Sequence, residues 1–133
     1  MYDLYLAGCM RGRPLLNRQM FVSVATILRD KGYTVWNPAE HGSYLDSSYA
    51  ECMGRDINAV INECSGIALL PGWRSSLGAN AEAFVAFVCG KECFEVVPTD
   101  EMYTDVELIG IKLDSMTLPY SLVGRRRKFD ITI

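Results

Sequence analysis

The sequence is poor in the residues that bind metal ions through fixed spacings. It contains a single histidine, His41, and five cysteines, none of which forms a CxxC pair. No zinc-ligand spacing is therefore present, and no metal site is predicted. The odd number of cysteines indicates reduced thiols and a cytoplasmic protein. Cys64 and Cys89 are expected in the core, because free cysteine packs as a small hydrophobe.

Long apolar runs and an excess of basic charge are also missing. No apolar stretch has the length of a membrane span, and the N-terminus lacks the shape of a signal peptide. The formal net charge of −3 argues against a general nucleic-acid-binding protein, and the only basic run, 125–128, is short. We therefore expect neither a membrane nor a polymeric nucleic acid as a partner. The length of 133 residues predicts one domain, residues 1–133.

Apolar runs that are typical of strands alternate with helical patterns through the first 97 residues. The predicted strands cover residues 4–7, 33–36, 67–70 and 93–97. The predicted helices cover residues 17–31, from 47 or 48 to 63, and 79–88. This βαβαβαβ order predicts an α/β fold, a flavodoxin-like or Rossmann-like three-layer sandwich with a mostly parallel sheet. Residues 106–113 and 128–133 also resemble strands, so we expect four or five strands and a C-terminal β-rich extension.

The helical patterns also predict a cap and a buried face. Asn17 is expected to cap the first helix, and Ser47 or Ser48 the second. In the second helix, the buried side is expected to carry Met53, Ile57, Val60 and Ile61.

The stretch from Gly66 to Glu82 joins a buried strand, a polar glycine-containing loop and the start of an apolar helix. Open α/β sheets bind ligands beyond the carboxyl ends of their strands, and the first N–H groups of a helix favour an anion. Glu82 is a carboxylate expected in about the first turn, where the helix dipole would keep it ionised. It is the first candidate for chemistry, and the structural alternative is an acid that stabilises the helix start.

Five other residues have both a functional and a structural interpretation. Asp56 is either a second acid or a surface carboxylate on a helix, and Tyr5 is either catalytic or part of the core. Arg11 and Ser76 lie in glycine-containing loops, where they would bind a phosphate or simply cap and solvate the chain. Trp73 would either stack on a base or cover its loop.

Five motifs occur in order between about residues 2 and 97. They are Tyr5-Leu6-Ala7-Gly8-x-Met10-Arg11-Gly12, Asn37-Pro38, Arg55-Asp56-Ile57, Leu69-Leu70-Pro71-Gly72-Trp73 and Ser76-x-Gly78-x-x-x-Glu82. Together they resemble the nucleoside 2-deoxyribosyltransferase-like superfamily, especially its small, often phage-encoded branch with a YLAGPM-type start and an LPGW loop. That superfamily includes deoxynucleoside 5′-monophosphate N-glycosidases and hydroxymethyl-cytidylate hydrolases. The resemblance does not cover residues 98–133, a divergent C-terminal part.

The resemblance implies roles for the matching residues. Glu82, four residues after Gly78, would be the nucleophile, and Tyr5 would lie beside it. Asp56 would assist departure of the base and orient the sugar. The loop after the first strand and the serine before the loop glycine would hold a 5′-phosphate, although Cys9 replaces a serine or proline. The predicted substrate-binding and phosphate-binding residues are Gly8, Cys9, Met10, Arg11, Gly12, Asn37, Trp73, Ser76 and Gly78.

The implied reaction is cleavage of the N-glycosidic bond of a nucleoside or nucleoside 5′-monophosphate, by hydrolysis or by transfer to a second base. Cleavage develops oxocarbenium character at the anomeric carbon, which a carboxylate below that carbon stabilises or attacks. Asp56 would help to protonate the departing base. The resemblance also implies that no cofactor is needed, and that the protein is a homodimer or larger homo-oligomer in the cytoplasm, that of the host if a phage encodes it. The alternative is a non-catalytic nucleotide-binding or sequestering protein of the same fold.

Overall fold

The fold is α/β, with one five-stranded sheet and three α-helices. The computed structural model describes residues 1–10, 12–42 and 48–112. The strands are β1 (Tyr2–Ala7), β2 (Val35–Trp36), β3 (Cys64–Leu69), β4 (Glu92–Pro98) and β5 (Val106–Ile111). The helices are α1 (Arg18–Asp30), α2 (Tyr49–Asn62) and α3 (Leu77–Val88), and short 3₁₀ turns cover Pro14–Asn17, Pro38–Glu40 and Trp73–Ser75. Within these described ranges, no helix has the length and apolarity needed to cross a membrane.

The sheet has the strand order β2-β1-β3-β4-β5. The first four strands are parallel, and β5 pairs antiparallel with β4. A parallel fifth strand would need a crossover of a dozen or so residues, whereas the connection between β4 and β5 is long enough only for a hairpin. The prediction of a mostly parallel α/β sandwich is confirmed, with the segment at 106–111 as its fifth strand. The predicted strand at 128–133 and the basic run at 125–128 lie outside the described residues.

Alternation along the strands divides the core into two layers. On β1, Tyr5 and Ala7 pack with the buried residues of α2 and α3, whereas Leu4 and Leu6 pack with those of α1. Successive strand residues point to opposite faces of a sheet, so both faces of this central strand are buried. The result is a three-layer sandwich with α1 on one face and α2 and α3 on the other.

Two arginines fix the turn that follows β2. The Arg29 guanidinium donates hydrogen bonds to both carboxylate oxygens of Glu40, at 2.9 and 2.7 Å, and one to the carbonyl of Val35, at 2.9 Å. Arg18 Nη1 donates to the carbonyl of Ala39 at 2.7 Å. These bonds hold the turn Pro38–Glu40 beside α1 and so place Pro38 next to the carboxyl end of β1.

Several local predictions were wrong. Asn17 has a left-handed φ of 60°, and its side chain makes no capping hydrogen bond to α1. Cys64 is buried, but Cys89 is exposed, because it follows the last residue of α3. The prediction of a serine cap on α2 is confirmed for Ser48, whose hydroxyl accepts from the N–H of Glu51, and Ser47 lies outside the described residues.

The buried face of α2 also differs from the prediction. The buried residues are Cys52, Asp56, Ala59 and Val60, while Ile61 is exposed. Small residues face inward at two of these positions because α2 packs closely on its neighbours. Asp56 is tolerated there because it forms an ion pair.

Candidate functional site

A cavity of about 330 Å³ lies at the carboxyl end of β1. The chain leaves β1 for β2 on one side and returns through β3 on the other, so this is the point where the strand order reverses, the usual ligand position in open α/β sheets. The lining residues come from β1, the loop after it, all three helices and their connections. They are Tyr5, Leu6, Gly8, Cys9, Met10, Phe21, Pro38, Tyr49, Met53, Ser75, Ser76, Leu77, Gly78, Ala79 and Glu82.

Tyr5 and Glu82 meet at the inner part of this cavity. The Tyr5 hydroxyl donates a hydrogen bond of 2.5 Å to Glu82 Oε2. Tyr5 is fully buried on β1, and Glu82 on α3 is 6% exposed. The sequence prediction that Tyr5 lies beside Glu82 therefore agrees with the geometry.

Burial raises the pKa of Glu82 to about 8. The hydrogen bond from Tyr5 lowers this pKa, the carboxylate of Asp56 raises it and the Arg55 guanidinium lowers it, but desolvation is the largest cause. The expectation that the helix dipole keeps Glu82 ionised was wrong. Because α3 begins at Leu77, Glu82 lies beyond its first turn, where the dipole has little effect.

Asp56 lies behind the cavity and does not line it. Its side chain is completely buried, and Oδ1 lies 2.8 Å from both Nε and Nη2 of Arg55. A carboxylate paired in this way is poorly placed to contact a departing base. The geometry therefore favours a positioning and electrostatic role for Asp56 over the proton-donor role expected from the sequence.

The N-terminus of α3 forms the polar rim of the cavity. The Ser76 hydroxyl accepts from the N–H of Ala79 at 3.1 Å, so the serine caps the helix as well as lining the cavity. A Cβ on Gly78 would lie 2.7 Å from the Tyr49 hydroxyl and 3.3 Å from Met53 Cε. Only glycine therefore allows these two side chains of α2 to approach α3 and complete the wall.

Asn80 fixes the loop that precedes α3. Its Nδ2 lies within hydrogen-bonding distance of the carbonyl oxygens of Trp73, Arg74 and Ser76, at 3.2, 3.1 and 2.7 Å. The Trp73 ring is buried and its Nε1 donates to Glu95 Oε2 at 3.3 Å. Trp73 does not line the cavity, so its position corresponds to the structural interpretation rather than to stacking on a base.

The other predicted binding residues are only partly brought together. Gly8, Cys9 and Met10 line the cavity. At Gly8 a Cβ would lie 2.9 Å from Leu70 Cδ1, so its small size is needed for packing.

Of three other predicted residues, two do not line the cavity and one lies outside the described residues. Gly12 is exposed and does not line it, and Arg11 lies outside the described residues. Asn37 is buried and does not line the cavity, and its Oδ1 accepts from the N–H of Ala39 at 3.0 Å.

Sequence reasoning missed the lining residues that come from α1, α2 and the turn after β2. Chief among them are Phe21, Pro38, Tyr49 and Met53. One signal was available: Tyr49 and Met53 are four residues apart, so they share one face of α2 at the end that follows β2. Whether that face would line a cavity or be buried depended on how α2 packs, and the predicted buried face of α2 was largely wrong.

Comparison with known families places this chain. A family model described as a domain of unknown function (DUF4406) matches residues 2–95, and the chain belongs to that family. A search of curated proteins found no match. The matched region begins at β1 and ends within β4, so it contains Tyr5, Asp56, Glu82 and the described residues that line the cavity.

Proposed function

We propose that this DUF4406 member cleaves the N-glycosidic bond of a nucleoside or nucleoside 5′-monophosphate, with Glu82 as the nucleophile. The observation that carries the proposal is the buried Tyr5–Glu82 hydrogen bond of 2.5 Å in a cavity of about 330 Å³. A cavity of this size is typical of small-molecule sites. Perturbed acids in such cavities are candidates for catalysis.

In the proposed reaction, an oxygen of ionised Glu82 bonds to the anomeric carbon as the carbon–nitrogen bond breaks. The electron pair of that bond leaves with the base, which takes up a proton from solvent. Water then attacks the anomeric carbon, displaces the carboxylate and loses a proton, so the sugar is released. Attack by a second base instead of water would give transfer. Tyr5 would orient the carboxylate and stabilise its ionised form through the hydrogen bond.

The lining residues suit the two ends of a nucleotide. Apolar side chains of Met10, Phe21, Pro38 and Met53 offer surfaces for a flat base. The Ser76 hydroxyl and the first N–H groups of α3 offer donors for a 5′-phosphate or a 5′-hydroxyl, whereas the Ser75 hydroxyl already donates to the carbonyl oxygen of Gly72 at 2.8 Å. Glu82 is the only acidic side chain among the described lining residues, and none of them is Lys, Arg or His, so these neutral donors would carry much of the recognition.

A non-catalytic nucleotide-binding protein is the second candidate, and one observation favours it. With a pKa of about 8, Glu82 is mostly protonated at pH 7 in the free protein. A neutral carboxyl can donate a hydrogen bond to a ligand but is a poor nucleophile. The two candidates therefore differ in what loss of the Glu82 carboxyl does to turnover.

The deciding experiment compares wild type, Glu82→Gln and Glu92→Gln on a panel of nucleosides and their 5′-monophosphates. Free base is measured by chromatography, and ligand affinity by calorimetry. Glu92 is an exposed acid at the opposite end of the sheet, so its amide variant is the matched control. We expect Glu82→Gln to lose at least about 10³-fold in kcat while Kd changes by less than about threefold.

Two results would contradict the proposal. One is full activity of Glu82→Gln, which would show that Glu82 is not the nucleophile. The other is release of base from no panel member together with nucleotide binding by wild type, which would favour the binding protein.

We also propose that the protein forms a homo-oligomer through the outer face of α3. Leu77, Ala81, Phe84 and Val88 follow one another at helical spacing, and Leu77 and Val88 are 59% and 64% exposed. The only charged residue of α3 is the buried Glu82. An apolar face of this kind is typical of a contact between copies of a chain. A cytoplasmic location is supported by the five cysteines, all of which are free thiols.

A further inference from the structure

A stack of aromatic rings lies behind the Tyr5–Glu82 pair. The ring centroids of Tyr5 and Trp36 are 5.3 Å apart, with an interplanar angle of 19°. The His41 ring stacks on Trp36 at 4.0 Å and 3°. Tyr5 and Trp36 are buried and His41 is exposed, so the stack connects the surface with the interior of the site.

The sheet register fixes one of these contacts. Tyr5 on β1 and Trp36 on β2 are paired residues of neighbouring parallel strands, so their side chains lie on the same face. Rotation of the Tyr5 side chain is therefore limited by the indole ring beside it. A rotation that moved the phenol hydroxyl by about 1 Å would break the hydrogen bond to Glu82.

Arg55 connects this stack to α2. Its Nε and Nη2 lie 2.8 Å from Asp56 Oδ1, and its Nη1 donates to the carbonyl oxygen of His41. Its guanidinium carbon lies 5.9 Å from the centroid of the Trp36 ring, within cation–π range. One side chain thus holds the buried Asp56, the backbone that follows β2, and the indole ring.

We propose that Trp36 and Arg55 are positioning residues for the Glu82 site. Trp36 holds the Tyr5 ring in the orientation that hydrogen-bonds Glu82, and Arg55 holds Trp36 and His41 in place. Neither residue lines the cavity, so neither acts directly on a ligand: Trp36 acts through Tyr5, and Arg55 acts through Trp36 and through its own charge near Glu82. The kinetic consequence rests on the proposed function, whereas the contact itself can be tested without any substrate.

The first test is a double-mutant cycle on the full-length protein, read as the titration of Glu82. The variants are Tyr5→Phe, Trp36→Leu and the double variant, and the carboxyl carbon of Glu82 is followed by ¹³C NMR. The carboxyl signal of Glu82 is assigned as the one that disappears from the spectrum of Glu82→Gln. The groups that face Glu82 are Tyr5 from β1 and Asp56 and Arg55 from α2, and Arg55 also contacts Trp36. An effect of Trp36→Leu through Arg55 would add to that of Tyr5→Phe, whereas an effect through Tyr5 would not.

We expect Tyr5→Phe to raise the pKa of Glu82, because the phenol stabilises the ionised carboxylate. Trp36→Leu should raise it by a similar amount, and the double variant should raise it no further. Trp36→Phe, which keeps an aromatic ring, should restore the wild-type titration. Additive changes in the cycle, or a wild-type titration in Trp36→Leu, would overturn the proposal.

Two further variants separate positioning from general loss of packing. Val24→Ala removes buried volume on the opposite face of the sheet and should lower stability without moving the titration of Glu82. Arg55→Lys keeps the charge but loses the planar fork, and its half-buried position should tolerate the change. It should raise the pKa of Glu82, and it supplies the test if Trp36→Leu does not fold. No rise in Arg55→Lys would remove Arg55 from the proposal.

The kinetic test uses whichever substrate the panel identifies. Trp36→Leu should lower kcat by about 10- to 100-fold with KM within about threefold, and Trp36→Phe should recover most of the loss. If the cycle is coupled but wild type releases no base, the proposed function fails and the positioning role stands. If wild type turns over and the cycle is additive, the positioning role fails alone.

Discussion

The Tyr5 hydroxyl lies 2.5 Å from Glu82 Oε2, although the two residues are 77 positions apart in the chain. The pairing of β1 with β3 places Tyr5 beside Ile67, and α3 follows β3 after a short turn. The sheet therefore determines the distance between the phenol and the carboxylate. Because burial and this hydrogen bond act on the same carboxyl group in opposite directions, the charge of Glu82 can be examined through its dependence on pH.

The activity should depend on the ionisation of Glu82. For a nucleophile with a pKa of about 8, kcat/KM should rise about tenfold per pH unit at lower pH and level off above about pH 8. Tyr5→Phe should move this rise to higher pH, because it removes the bond that stabilises the ionised form. The measurement is kcat/KM against pH for both proteins. Activity that falls above pH 8 would indicate that Glu82 acts as an acid and would contradict its role as nucleophile.

Stability should also depend on Glu82. Its pKa is about 8 in the folded protein and near the ordinary value of 4.5 in the unfolded chain. Between these values the unfolded chain loses the proton and the folded protein keeps it, so stability falls as pH rises through this window. Wild type should lose on the order of 3–5 kcal/mol between pH 4.5 and 8 relative to Glu82→Gln. Urea unfolding at several pH values measures this, and a constant difference between the two proteins would refute it.

Gly78→Ala should affect ligand binding more than folding. The new Cβ would lie 2.7 Å from the Tyr49 hydroxyl, which can move away only by changing the cavity wall. We expect ligand affinity to fall about tenfold or more, which corresponds to about 1.4 kcal/mol. The control is Gly54→Ala on α2, where a Cβ meets nothing within 4 Å and helix propensity should add about 0.5–1 kcal/mol of stability. Equal ligand affinities in the two variants would rule out a tight wall at Gly78.

Asn80 should stabilise the loop before α3. Asn80→Ala removes donors to three carbonyl oxygens and should cost about 1–3 kcal/mol of unfolding free energy. Asn80→Asp should cost more at neutral pH, because it places a carboxylate against the same carbonyls, and less when protonated at low pH. Asn62→Ala, an exposed asparagine on α2, is the control and should stay within about 0.5 kcal/mol of wild type. Equal losses of unfolding free energy in Asn80→Ala and Asn62→Ala would show that Asn80 does not stabilise this loop.

The oligomer should depend on the outer face of α3. We expect light scattering to show a dimer or larger assembly for wild type, and a shift to monomer for Val88→Asp, which places a charge in the apolar contact. Met102→Asp changes another exposed apolar residue, in the turn before β5, and should leave the assembly intact. A monomeric wild type at tens of micromolar would contradict the interface.

The local pattern predicted most of the fold, because each of the four parallel strands is a short, largely apolar run that ends at or near a glycine or proline. The details that failed are those in which two local patterns were equally possible. Met53, Ile57, Val60 and Ile61 were predicted as the buried face of α2. Val60 is buried, but the other buried residues are Asp56 and two small residues. Packing against the sheet and α3 favoured small side chains, and an ion pair compensated the buried carboxylate.

By itself, the sequence determined the order of strands and helices and the loop that carries the site, since these depend on neighbouring residues. It also determined that a glycine-containing loop precedes the helix that carries Glu82. Only the tertiary structure decided how charged Glu82 is, because its pKa depends on burial and on Tyr5, Asp56 and Arg55, which come from other elements. The same holds for the contacts of Trp36 and for Tyr49 on the cavity wall, because strand pairing and helix packing bring distant residues together.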